Sequence, residues 1–175
     1  MKKIFCLASL LLLTSTTIHA EGKCGTAIGN TVMHGATMMQ CQKITGAATL
    51  NQSTMHGTLT VIGNLSAKQS TLLDIDITGD VNLLMSAVDG KSKITGQLNA
   101  TKTTFADSIE LTGKTATFHT SYTRGIIINS KKPAYIYLDD HSVVDGDITF
   151  TNGDGIVKNT NSIIHGKVIG GKIEK

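Results

Sequence analysis

The chain has no tryptophan, one proline (Pro133) and one arginine (Arg124), and only 4% of its residues are aromatic. Each shortage excludes something. Without a basic stripe interleaved with aromatic rings there is no platform for nucleic acid. Without aromatic girdles an outer-membrane barrel is not supported. Long apolar runs are also missing. The longest, Ile4 to Leu13, is about half of the roughly 20 residues that a membrane-spanning helix needs.

That run has a different use. Lys2 and Lys3 precede it, and Ile18-His19-Ala20 ends on a small residue, which is the layout of a secretory signal peptide. The expected organisation is a signal peptide at 1–20 and one domain at 21–175, periplasmic or secreted, with no transmembrane segment after cleavage. Cys24 follows Glu21-Gly22-Lys23 rather than a small apolar box, so a lipid anchor is not expected. Losing Lys2 and Lys3 lowers the basic count from 16 to 14 against 13 acidic residues, leaving a near-neutral protein.

What the sequence has in quantity is Gly, Thr, Ser and Asn, the residues of short strands and tight turns. The glycines are periodic. Gly29, Gly46, Gly63, Gly79, Gly96 and Gly113 are spaced by 17, 17, 16, 17 and 17 residues. With each glycine as position zero, other columns align. Position −2 holds Ala27, Ile44, Val61, Ile77, Ile94 and Leu111. Position +2 holds Thr31, Ala48, Leu65, Val81, Leu98 and Thr115, and +4 holds Met33, Leu50, Ala67, Leu83, Ala100 and Thr117. The bulky column at +9 is Met38, Met55, Leu72, Val88, Phe105 and Tyr122. Hydroxyls dominate +7: Ala36, Ser53, Ser70, Ser86, Thr103 and Thr120. A fixed period of this length predicts stacked coils.

The fold class is therefore all-β, a single-stranded parallel β-helix with triangular coils of about 17 residues and about eight coils. Regular coils span 24–129 and irregular ones 130–175. Alternation within a strand sends side chains to opposite faces, and the −3 column (Lys43, Thr60, Asp76, Lys93, Glu110) is polar, as an outward column should be. Beyond Gly113, Ser142-Val143-Val144 and Ser162-Ile163-Ile164 restore the pattern with zero positions at Tyr135 and Gly155. Val168-Ile169-Gly170 resembles Val61-Ile62-Gly63 and starts a last partial coil. A competing register of 22 residues links Met33-His34-Gly35 to Met55-His56-Gly57 but accounts for fewer columns.

Cys24 and Cys41 are one period apart, so they become vertical neighbours within the separation a disulfide tolerates. An oxidising compartment preserves such a bond.

Chemistry-bearing constellations are sparse. The histidines after the signal (His34, His56, His119, His141, His165) include no pair at metal-motif spacing, and neither a metal nor another cofactor is expected. No nucleophile elbow or phosphate loop is present, so no catalytic residue is assigned and the protein is read as a non-enzyme. The best candidate ligand region combines Arg124, Asp139, Asp140, Asp145 and Asp147 with Lys131, Lys132 and Asp154. Acidic clusters of this kind bind or cleave polysaccharide in larger β-helices, which makes a carbohydrate module the alternative function. The column Thr45, Thr78, Thr95 and Thr112 suggests an ice-binding face, but Lys43, Asp76, Lys93 and Glu110 beside it break the uncharged surface such a face requires.

Gly-Asn-Leu at 63–65, Gly-Asp-Val at 79–81, Gly-Gln-Leu at 96–98 and His-Gly-Lys-Val-Ile-Gly-Gly-Lys-Ile at 165–173 carry a Gly-x-apolar rhythm. In it the chain resembles the bactofilin type of triangular β-helix. The resemblance implies end-to-end polymerisation and transfers no catalytic residue. The chain departs from that cytosolic family in its export signal and paired cysteines. The expected protein is a structural or interaction rod of the bacterial cell envelope. Its expected partners are itself, an envelope protein or a glycan, and Val168, Ile169 and Ile173 form the candidate self-association edge.

Overall fold

The computed structural model describes residues 24–131 and 133–174. The expected signal peptide at 1–20 and Lys132 lie outside them. The described chain is a parallel β-solenoid of three sheets with nine, nine and eight strands, which makes eight complete coils and two strands of a ninth. We call the sheets sides A, B and C. Coil 1 contributes Gly25–Ile28 to A, Thr31–His34 to B and Thr37–Met38 to C, and the pattern repeats to Val168–Ile169 and Gly171–Glu174. At the usual strand spacing, nine coils rise about 40 Å. No helix among the described residues is long and apolar enough to cross a membrane.

The expected columns stack. Met38, Met55, Leu72, Val88 and Phe105 are consecutive Cα partners on side C, and the last four are at most 1% exposed. On side A, Ala27, Ile44, Val61, Ile77, Ile94, Leu111 and Ile128 pair in the same way. Met33 pairs on side B and Met55 on side C, so the 22-residue register is not used.

Each corner has its own device. At the A–B corner, Gly46, Gly63, Gly79 and Gly96 have φ from 132° to 150°, a region that side chains rarely enter. A Cβ on any of them would collide with the carbonyl of the glycine one coil earlier. The period thus reflects both a backbone angle and a close approach.

At the B–C corner the chain turns on left-handed residues that are not glycine: Gln52, Gln69, Met85, Lys102 and Thr120, all at φ of 50–51°. This conformation costs about 1–2 kcal/mol per residue. The next residue offsets it. Ser53, Ser70, Ser86, Thr103, Ser121 and Ser142 are buried and form a hydroxyl ladder. The Ser53 amide donates to Ser70 Oγ at 3.2 Å, Ser70 to Ser86 at 3.2 Å, and Thr103 to Ser121 at 3.1 Å. Each of these hydroxyls donates in turn to a carbonyl of its own turn, as Ser70 Oγ does to Lys68 O at 2.9 Å. Corner amides that would otherwise be buried without partners are thereby satisfied.

The register departs from expectation after Gly113. Leu98 pairs with Ala116, Ala100 with Phe118 and Phe105 with Thr123, whereas the 17-residue period aligned Thr115, Thr117 and Tyr122. One extra residue enters the A–B corner at Lys114. A one-residue shift exchanges the two faces of a strand, and here it buries Ala116 and Phe118 instead of two threonines. Burying a phenylalanine is worth about 1.5–3 kcal/mol. Phe118 packs edge-on against Phe105, with centroids 6.2 Å apart, above the small Ala100. Thr123 replaces Tyr122 in the core, and its hydroxyl donates to Gly125 O at 3.1 Å.

Two more corrections follow from the tail. Ser142, Val144, Ser162 and Ile164 take their expected columns, but Gly155 is an inward strand residue paired with Ala134 rather than a corner. Val168 stacks on Ile148 and Ile126, the column of Leu59, two positions earlier than its likeness to Val61 implied. Coil 9 nevertheless starts there.

One core position is mismatched. Ser92 lies between Ile75 and Ile109, is 2% exposed, and its hydroxyl has no partner. Replacing it with valine should raise stability by about 1 kcal/mol, read as a higher urea midpoint at unchanged slope; a fall would show the hydroxyl to be satisfied. The opposite outcome is expected at Gly79→Ala. Strained φ and carbonyl overlap together should remove about 2–5 kcal/mol. Because each coil contacts only its neighbours, hydrogen exchange should speed up first in coils 3 to 5.

Candidate functional site

The candidate ligand residues lie in coils 6 to 8, where the coils lengthen. Ser121 to Ser142 is 21 residues and Ile128 to Phe150 is 22. The structure distributes them over two corners on either side of the two-residue strand Val143–Val144.

Asp139 ends the strand Ala134–Asp139. Its carbonyl accepts the Thr120 amide at 3.2 Å and the Ser142 hydroxyl at 2.7 Å. Asp140 follows at φ 54°, with one carboxylate oxygen 3.3 Å from His119 Nε2 and the other 3.6 Å from His141 Nδ1. His141 contacts the Asn161 side chain at 3.0 Å. This group lies at the surface of the B–C corner.

Across the short strand, Asp145 accepts from the Tyr122 hydroxyl at 3.3 Å and lies 3.1 Å from His165 Nδ1. Asp147 accepts the Lys167 amide at 2.7 Å, as Asp74 accepts the Lys91 amide at 2.8 Å four coils earlier. In these places an aspartate supplies the acceptor that a C–A corner amide needs. Arg124 is exposed at the same corner one coil before Asp145. Asp139 and Asp140 therefore lie at a different corner from Asp145 and Asp147, and no group of three or more His, Cys, Asp or Glu among the described residues is placed to hold a metal.

Asp154 has a different environment. With Pro133, Tyr135, Ile156, Lys172 and three glycines it lines a shallow depression of about 520 Å³ on the outward face of side B. Tyr135 and Tyr137 stand on this face with ring planes 22° apart and centroids 6.4 Å apart. Lys158, the Cα partner of Tyr137 in the next coil, places its ammonium 5.7 Å from that ring. Lys172 and Glu174 are bridged at 2.7 Å. The bond between them holds the ammonium above its ordinary pKa and the carboxyl below its own. The tyrosines were missed as site residues. Their signal was the alternation Tyr135-Ile136-Tyr137, two of three tyrosines in an aromatic-poor chain.

At the other end, Cys24 and Cys41 are disulfide-bonded, with Cα atoms 4.7 Å apart. The bond ties coil 1 to coil 2 immediately before the paired strands Gly25–Ile28 and Gln42–Thr45.

Compared with protein-family models, curated proteins and solved structures, the chain matches none. The parallel solenoid is common ground with bactofilins, but membership of that family has no support beyond it.

Closing a 17-residue loop is worth about 3 kcal/mol. Replacing both cysteines with serine should therefore strip exchange protection from amides 25–38 while leaving coils 4 to 6 protected. Uniform loss along the chain would mean that coil 1 does not fray independently.

Proposed function

We propose that the protein is an exported, non-enzymatic structural rod of the bacterial cell envelope that self-associates end to end, with its C-terminal coil as one contact. The observation that carries this reading is the chemistry of the two ends. Of the ten exposed large hydrophobics among the described residues, six lie on the terminal strands or directly beside them. Ile28, Val32 and Met39 border the first coil at 92%, 64% and 63% exposure. Ile163, Ile169 and Ile173, one on each side, border the last at 53%, 47% and 50%. Inward residues Val168 and Ile164 are only partly buried.

An open strand edge is a template for another chain, and an apolar rim adds a driving force. Contact between unlike ends repeats the parallel ladder from copy to copy and does not close on itself. A periplasmic or secreted setting is consistent with the signal-like leader and with a bonded cysteine pair. Possible partners besides the chain itself are envelope proteins or glycans that the rod would hold at fixed spacing.

Sedimentation velocity over a hundredfold concentration range tests this. The wild type should form species of increasing length, visible as single-coil-width filaments by electron microscopy. Ile169→Asp and Ile173→Asp should each shift assembly to at least tenfold higher concentration without changing the circular dichroism spectrum. A monomer at all concentrations, or assembly indifferent to both substitutions, would overturn the proposal.

A further inference from the structure

We propose that the outward face of side B in coils 7 to 9 binds a neutral polysaccharide with flat, equatorially substituted pyranose rings, using Tyr135 and Tyr137 as the platform. The site lies on the flank of the rod and is independent of end-to-end contact.

The face changes character where the coils lengthen. In coils 2 to 6 the column that continues into Tyr137 is Thr49, Ser66, Asn82, Asn99 and Thr117, small and polar throughout. At coil 7 it becomes aromatic, and Tyr135 joins it two residues earlier on the same face. The inward neighbours Ala134, Ile136 and Leu138 are at most 2% exposed and complete the core. The two phenol rings are half-buried on the outside and are not needed to fill it. The ring planes lie within 22° of each other with centroids 6.4 Å apart, so aromatic surface repeats along the strand, which suits a polymer of repeating rings.

The surroundings select the ligand class. A pyranose ring with equatorial substituents has C–H groups on its faces and hydroxyls around its edge. The faces meet aromatic rings, and the edge requires polar groups. Asp154 and Lys172 share the depression with Tyr135, Lys158 stands by Tyr137, and Glu174 neutralises Lys172. Lys158 and Lys172 are matched by Asp154 and Glu174, and Asp139 is the next outward residue after Tyr137 on the same strand; a face with no excess of positive charge favours a neutral polymer over nucleic acid or an anionic glycan. Both tyrosines are held on one strand paired on either side, so little ordering is left to occur on binding. Arg124, Asp140, Asp145 and Asp147 stand at the corners rather than on this face.

Chitin and amorphous cellulose as insoluble probes, with chitohexaose and cellohexaose as soluble ones, test the proposal on the purified protein. With no tryptophan and three tyrosines, tyrosine fluorescence reports binding directly. Saturable binding of at least one hexaose is expected. Tyr135→Ala and Tyr137→Ala should each weaken it about tenfold, and Tyr137→Phe should retain most of it. Tyr122→Phe, on side C, should have no effect. In the wild-type protein the bound hexaose should slow hydrogen exchange in segment 133–139, a readout that does not depend on the variants folding. Absence of binding to all four probes, wild-type affinity in both alanine variants, or protection elsewhere would overturn the proposal. So would preferential binding of single-stranded DNA or heparin. Sedimentation of the tyrosine variants should be unchanged, which separates failure here from failure of the end-to-end contact.

Discussion

Every inward side chain in this solenoid has its counterpart one coil away as a packing neighbour, and the rest of the structure follows from that constraint. A residue must fit between the residues above and below it in its column. Phe118 is tolerated because Ala100 precedes it and Phe105 lies to one side. The same rule governs the backbone. Glycine is required at the A–B corner because another glycine's carbonyl occupies the space where a Cβ would go. Buried corner amides are satisfied by a hydroxyl from the next coil. The energy of such an assembly is close to a sum of coil and interface terms, so the interior of the rod is self-supporting and its ends are exposed.

The columns were legible in the sequence because a short-range period survives as long as every corner has the same length. Six glycines and the +9 column identify the coil, and the cysteine pair follows because its separation equals the period. Lys114 adds one residue to a corner without adding a turn signal of its own, and the period cannot register it. Burial could have. The 17-residue register places Thr117 inward and Phe118 outward, an exchange that hydrophobic burial opposes by about 1.5–3 kcal/mol. The left-handed residues were not legible either. Gln69, Met85 and Lys102 are not turn formers, and they take up φ near 50° because the serine or threonine after them secures the corner.

The candidate site was less legible than the fold for a related reason. Asp139, Asp140, Asp145 and Asp147 are close in sequence, but the chain turns a corner, runs for two residues and turns again between them. Carboxylates accumulate at such corners because the turning backbone presents amides without partners, and Asp147 and Asp74 each accept one. Sequence proximity of acids in a small-coil solenoid therefore reports corner chemistry before it reports a ligand pocket.

Departure from the period has a surface consequence as well. The regular coils keep nearly identical corners, so outward columns such as Thr49, Ser66, Asn82, Asn99 and Thr117 run straight along side B. Coils 7 and 8 carry extra residues between Ile128 and Ala134 and between Phe150 and Gly155. From these corner segments Pro133 and Asp154 line the depression beside Tyr135. The change in corner length coincides with the change from Asn99 and Thr117 to Tyr137 in the outward column. Core packing does not require that change, since the inward residues remain aliphatic. A half-buried aromatic pair on the outward face, placed where the repeat is already broken, is the arrangement that the proposed recognition of a polysaccharide requires.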